Sequence, residues 1–347
     1  MIKEDIIPAR DPNIIQAELS EQLLLRKTNR AGNEIYIFHA NDAPNTMIEV
    51  GRLREIAFRS SGGGTGLPAD IDSHDIDPNG YRQLVVWDPQ KKQLIGGYRY
   101  ILGGNVALDG DQTTLSSNEI FHFSKTFIEE YIPKTIELGR SFVRMEERDG
   151  KLLPASIFAL DNLWDGLGGL ILIHEEYQYF FGKVTMYQDY NKKAKDLIAY
   201  YFQTYFQGDQ ELMHPKYPIS IEVPISELKA VIKGDNPKVD YKHLSKTIRD
   251  MGTSIPPLVN SYLGLSESLM YFGTSVNPHF GNVEETAIMI PMEEISDDKL
   301  KRHVESFIRD ATKGINPGII SQIKRRLGLS SKEKTKESII DTKIKEE

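Results

Sequence analysis

The sequence predicts an α/β fold of α+β character, a mixed β-sheet flanked by helices. Three observations carry the prediction. Apolar runs with the two-residue period of a strand are interleaved with runs of helical period. Their order is strand, helix, three strands, helix, strand, helix and, after a spacer, helix, strand, strand. Strands mixed with crossing helices force the helices onto the sheet faces. Finally, 347 residues with 39% hydrophobic and 27% charged side chains can bury a substantial core.

The elements follow in order. "PNIIQAELSEQLLLRK" is apolar at Ile14, Ile15, Leu19, Leu23 and Leu24, which reads as a helical arm over 1–32. A core unit spans 33–206. It opens with strand "NEIYIFHA" and amphipathic helix "MIEVGRLREIAF", stopped by "SSGGGTGLP", whose four glycines and proline cannot continue a helix. "YRQLVVWD" and "QLIGGYRYIL" form a hairpin across "PQKK". Residues 103–133 read as an insertion with its own helix. Strand "KTIELGRSFV", helix "ASIFALDNLWDGLGGLILIHEE", strand "YQYFFGKVTM" and helix "NKKAKDLIAYYFQTYF" complete the unit. Residues 207–250 read as a Pro- and charge-rich connector ending in a short helix. Residues 251–296 return a helix and two strands to the same sheet domain, and 297–347 form a helical, basic, frayed tail.

Composition excludes several function classes. There is no cysteine, so disulfides, thiolate metal sites and Cys acyl-enzymes are out. A net charge of −8 opposes broad nucleic-acid binding. No apolar run approaches a membrane span and no signal-peptide core opens the chain, so a cytoplasmic protein is expected. The eight histidines show no ligand spacing, so no metal is expected. "RSSGGGTG" lacks the Lys-Ser/Thr of a phosphate loop, and "DIDPNG" has Val86 where a calcium loop needs Glu. Gly166, Gly168 and Gly169 inside a helix point to close packing or ligand approach.

The most informative stretch is "KTIELGRSFV". Glu137 and Arg140 lie three apart, which on a regular strand places them on opposite faces. A β-bulge at Gly139 would bring both to one cleft and free a backbone N–H; otherwise each charge is solvated on its own face.

Five local matches resemble the acyl-carrier-protein-dependent branch of the GNAT acyltransferase fold, which holds ornithine-lipid and glycine-lipid N-acyltransferases and, more distantly, acyl-homoserine-lactone synthases. "RLREIAF" resembles the family's Leu-Arg…Phe helix through Leu53, Arg54 and Phe58. "DSHD" resembles its Asp-x-x-Asp loop through Asp72 and Asp75, and "GGYRYI" its arginine strand through Gly96 and Arg99. "ELGR" resembles Glu-Leu-Ser-Arg, with Gly139 in place of Ser, and "LWDGL" with "YFFGKVTM" resembles a Leu-Trp-x-Gly-Leu helix and its following strand. Together these span roughly residues 33–292. The glycine-spaced pyrophosphate motif of acetyl-CoA enzymes is absent from "RMEERDGKLLPASIF".

The resemblance implies an enzyme: transfer of a long-chain, 3-hydroxy or unsubstituted, fatty acyl group from acyl carrier protein to the amine of a small amino acid. Glycine is favoured and ornithine next, as the first step of aminolipid synthesis. The alternatives are a degenerate acyl-carrier or lipid-binding module and an acyl-CoA-dependent acetyltransferase. The catalytic set expected is Glu137 as general base with Gly139 and Arg140, an oxyanion donor lying near Leu138–Ser141. Arg54, Phe58, Asp72, Asp75, Arg99, Ser141 and Trp164 are expected to bind substrate. No cofactor beyond the acyl-ACP or acyl-CoA donor is implied. The basic run with Lys324, Arg325, Arg326, Lys332 and Lys334 is expected to meet an acidic carrier or the inner face of a membrane.

Overall fold

The computed structural model describes residues 3–109, 112–149 and 151–311. Eight strands form the main sheet: β1 (Leu24–Lys27), β2 (Glu34–Phe38), β3 (Arg82–Asp88), β4 (Gln93–Leu102), β5 (Thr135–Val143), β6 (Tyr179–Met186), β7 (Met270–Asn277) and β8 (Val283–Pro291). Their spatial order is β1-β2-β3-β4-β5-β6-β8-β7. Every neighbouring pair is antiparallel except β5 with β6.

Alternation along the strands feeds apolar layers on both faces. Ile35, Leu84, Tyr98, Leu138 and Phe180 pack with helices α2 (Ala159–Ile173) and α3 (Lys192–Phe206). On the other face, Tyr36, Val85, Trp87 and Phe142 meet α1 (Pro44–Ser60), through Met47, Val50, Leu53 and Phe58. Steps of three, three and five residues keep these side chains on one side of the helix, the stripe of a half-buried helix. Beyond α1 the chain turns at Gly62, Gly64 and Gly66, all with φ between 81° and 93°, where glycine is the residue without a steric penalty.

Three expectations change. The N-terminal arm is helical only over Pro12–Glu18, and Leu24–Lys27 is an edge strand paired with β2. The run "LLLRK" has no period of its own, so only the sheet partner decides its state. Residues 103–133 form short pieces rather than one helix: a 3₁₀ turn at Ser116–Glu119, strand Phe121–Phe123 and a wide helical turn at Phe127–Tyr131. Residues 207–250 are packed structure. They contain strand Met213–Pro215 and helices α4 (Ile225–Val231) and α5 (Pro237–Asp250), which bury Leu228, Ile232, Leu244 and Ile248 in the core. The expected basic tail beyond residue 311 lies outside the described residues.

Candidate active site

The site is built where β5 loses its partners. Pairing with β6 runs from Thr135↔Tyr179 to Leu138↔Gly182 and then stops, so the two parallel strands splay. On the β4 side the register jumps from Gly139↔Arg99 to Phe142↔Gly97. Three steps along β5 match two along β4, which is a β-bulge, and Arg140 and Ser141 fall outside the paired register on both sides.

The bulge was expected at Gly139, but the residue in the left-handed region is Arg140, with φ 50°. Gly139 is not left-handed, and a Cβ there would meet nothing closer than the Arg99 side chain at 3.7 Å. The serine of the related motif would therefore fit. A non-glycine residue stays left-handed only where its surroundings fix it. Here the Arg140 guanidinium pairs with Asp70 at 3.0 Å and Asp72 at 3.7 Å, and lies over the Phe280 ring at 4.4 Å.

The extra residue also answers the parity question: Glu137 and Arg140 share one face. They are linked through other groups rather than to each other. Glu137 is buried and accepts from the Tyr81 hydroxyl and from the Ser117 N–H at 3.2 Å. Tyr81 lies under the Arg99 guanidinium at 4.7 Å. Arg99 pairs with Asp72 at 2.7 Å and Asp75 at 3.1 Å, and Asp72 closes the circuit to Arg140. Asp72 is also the N-cap of the turn Ser73–Ile76, in a reciprocal capping box with Asp75. Arg54 rises from α1 into the same network, donating to both Asp75 oxygens at 3.0 and 3.1 Å and to Gln83 at 2.5 Å. The "DIDPNG" carboxylate Asp75 is thus committed to two arginines.

Burial sets the electrostatics. Asp70 is fully buried; burial pushes its carboxyl up, Asp75 adds to that push, and Arg140, Arg54 and Arg99 pull the other way without restoring it. For Asp75 burial also acts upward, but Arg54 and Arg99 outweigh it and hold the carboxyl below the usual range. Burial and the Glu137 charge push the Tyr81 phenol up, so it stays a proton donor to Glu137.

The splay opens a cavity walled by Gly139–Val143 of β5, Lys183 and Thr185 of β6, and Glu285 of β8, with Phe58 and Phe280 at one side. Lys183 Nζ lies 3.4 Å from Glu285 and 3.4 Å from the Ser116 carbonyl, which also reaches this wall. Glu285 accepts from Asn277 at 2.9 Å and Thr185 at 3.3 Å. Burial raises its carboxyl, but Lys183, the Asn277 hydrogen bond and Arg140 bring it below the ordinary value. Past Leu160 and Leu258 this cavity meets a second, apolar one under Leu163, Trp164 and Leu167 of α2 and Tyr262 of α6 (Pro257–Leu263).

Of the residues expected from sequence, Gly139, Arg140, Ser141, Arg99 and Phe58 line the first cavity and Trp164 the second. Arg54, Asp72, Asp75 and Glu137 do not reach either wall; they form the ion network behind it. Glu137 in particular has both oxygens occupied and touches the cavity only through the 116–117 backbone, which leaves it without direct reach to a substrate amine. Sequence reasoning missed Lys183, Glu285 and Ser116. A signal existed for the first two: Lys183 is the lone charge of the apolar strand "YFFGKVTM", and Glu285 is the inner of the two glutamates that open "EETAIMIP".

A splayed parallel pair, a bulge at its mouth and a deep apolar annex define the class as an acyl-transfer fold of GNAT type, and the family model described as an acetyltransferase (GNAT) domain matches residues 53–156. Two curated relatives are close. A glycine N(alpha)-acyltransferase of Bacteroides thetaiotaomicron is 47% identical over 306 residues, covering 88% of this chain and 91% of that protein. One of Phocaeicola vulgatus with the same name is 47% identical over 307 residues, covering 88% and 94%. No solved structure matches the chain. The chain belongs to the GNAT N-acyltransferase family and is an acyltransferase enzyme. Among the described residues no helix is long and apolar enough to cross a membrane.

Proposed function

We propose that the enzyme N-acylates glycine with a long fatty chain delivered as a thioester on acyl carrier protein, the opening step of aminolipid synthesis. The observation that carries the reading is the splay itself. A buried Lys183–Glu285 pair sits beside the unpaired Arg140–Ser141 backbone, at the entrance to an apolar cavity. An amino-acid zwitterion matches the ion pair charge for charge: its carboxylate goes to Lys183 and its ammonium to Glu285. The names of the relatives point to glycine.

In the reaction the ammonium gives one proton to Glu285, and the neutral nitrogen bonds to the thioester carbon. As the C–S bond breaks, the second nitrogen proton passes to the departing thiolate, which leaves as a thiol while Glu285 returns its proton to solvent. Once Lys183 turns to the substrate carboxylate, Glu285 loses its cation and gains proton affinity, which fits it to accept the amine proton. A backbone N–H at Arg140–Ser141 supports the developing oxyanion. Glu137, expected from sequence as the base, takes a positioning role instead: it orders Tyr81 and the 116–117 backbone that carries Ser116 to the wall. Arg54, Asp72, Asp75 and Arg99 hold Arg140 in its left-handed turn. A chain of hydrocarbon, plain or 3-hydroxylated, runs under Leu163 and Trp164, and the basic run at 324–334 docks the acidic carrier.

The test is mass spectrometry of lipids from a host expressing the chain, with purified enzyme assayed for thiol release from acyl-ACP and acyl-CoA. N-acylglycine and faster turnover of acyl-ACP are expected. N-acylornithine would overturn the amino acid, preference for acyl-CoA would overturn the donor, and absence of any amide would overturn the reading.

A further inference from the structure

The cavities are strung along one face of α2. Leu160 borders the first and second, Leu163 the second, and Trp164 and Leu167 both the second and a third that continues to Gly168 and Ile171. Positions 160, 164, 167 and 171 recur at the three- and four-residue spacing of a single helix stripe. The third cavity is apolar too, closed by Phe180 of β6 and by Leu300 and Val304 of the C-terminal segment. That segment is pinned: the buried His303 ring meets Asp165 at 2.7 Å, and Arg26 donates to the His303 carbonyl at 2.8 Å. What separates the second cavity from the third is the Trp164 indole with Leu167. The indole is buried, set edge-on against Tyr262 at 5.8 Å and capped by the Lys299 ammonium 5.5 Å from its ring.

We infer that Trp164 sets the length of the acyl chain this enzyme accepts, by stopping the second cavity short of the third. The inference rests on the proposed use of that cavity for an acyl chain. From Leu167 to Ile171 the helix rises about 6 Å. The third cavity is small, about 20 Å³, so most of the room for further carbons is the volume the indole itself fills.

The experiment compares product chain lengths, by mass spectrometry, for the intact enzyme and three variants supplied with a mixed series of saturated acyl-ACP donors. Trp164→Ala shifts the product distribution toward longer chains. Val304→Phe alone, which fills the third cavity, leaves the distribution where it was. The double variant returns to the original length. An active Trp164→Ala enzyme with an unchanged distribution overturns the inference, and so does shortening by Val304→Phe alone, because the chain would already pass the indole. If Trp164→Ala does not fold, Trp164→Leu takes its place with the same required direction. Failure of the intact enzyme to make amide from any donor would instead sink the functional reading.

Discussion

At the residue scale, the cleft divides the carboxylates into two kinds. Glu285 is on the wall and Glu137 is behind it, and kinetics separates them. Glu285→Gln keeps the shape and removes the charge, so kcat/KM for glycine should fall by about 10²- to 10⁴-fold, the range of a lost acid–base group. Glu137→Gln keeps one good acceptor but sets an amide N–H against either Tyr81 or Ser117. That mismatch should cost about 1–3 kcal/mol of stability, read by denaturant unfolding. Its pH–rate profile should retain the acidic limb, whereas Glu285→Gln should lose it. A Glu137→Gln enzyme that is stable yet lacks the acidic limb would return the base to Glu137. Arg140 carries two burdens at once, a left-handed backbone and the counter-charge of Asp70. Arg140→Gly relieves the first and strands the second. With Asp70 fully buried, net destabilisation of about 3 kcal/mol is expected despite the relaxed turn.

At the scale of elements, the glycines of α2 show how a helix accepts close neighbours on two sides. A Cβ at Gly166 would come within 2.7 Å of Leu84, and one at Gly169 within 2.7 Å of Leu25, so both press the helix onto the sheet. Gly168 faces the other way, where a Cβ would stand 2.4 Å from the His303 carbonyl. Backbone cannot yield as a side-chain tip does, so Gly168→Ala should destabilise by about 1–3 kcal/mol and loosen the C-terminal segment, visible as faster amide exchange over 299–305. The loop holding Asp72 and Asp75 gives a pH prediction. The folded Asp75 carboxyl titrates below its unfolded value of about 3.9, so its contribution is complete above that pH and is lost as pH falls toward the folded value. Asp70 runs the opposite way: raised by burial, it favours folding below about pH 3.9 and withdraws that support as pH rises through its folded value. Asp75→Asn should therefore flatten the acid limb of a Tm-against-pH curve, and an unchanged slope would refute the assignment. These devices were only half legible in the sequence. The glycines and the two charges of "ELGR" announced close packing and a bulge. Which residue turns left-handed, however, depends on Asp70, seventy positions upstream, and no local pattern carries that.

At the scale of the whole molecule, the sheet is two antiparallel halves joined by one parallel seam, four residue pairs long. Seven of the eight sheet strands and most helices followed from periodicity, because each element buries one stripe and shows it in sequence. The pairing of Lys183 with Glu285 did not, since it needs β6 and β8 to be neighbours although about 100 residues separate these two charges. Beyond the seam, among the described residues, packed side chains and the short strand pair Phe121–Phe123 with Met213–Pro215 join the β1–β5 part to the β6–β8 part, not main-sheet pairing. A ligand spanning both walls should therefore act as a clamp. A non-hydrolysable acyl-phosphopantetheine analogue at about a hundred times its Kd stabilises by about 2.7 kcal/mol, which for a domain of this size raises Tm by several degrees. Amide exchange should slow on both sides of the splay, over 139–143 and 183–186, while β1–β3 change little. Glycine alone, bridging only Lys183 and Glu285 on the β6–β8 half, should give the smaller Tm shift and protect residues near 183 and 285 but not 139–143. Protection confined to one wall with the acyl analogue would mean that the chain lies outside the splay, and the cleft between the two halves would lose its claim as the site of transfer.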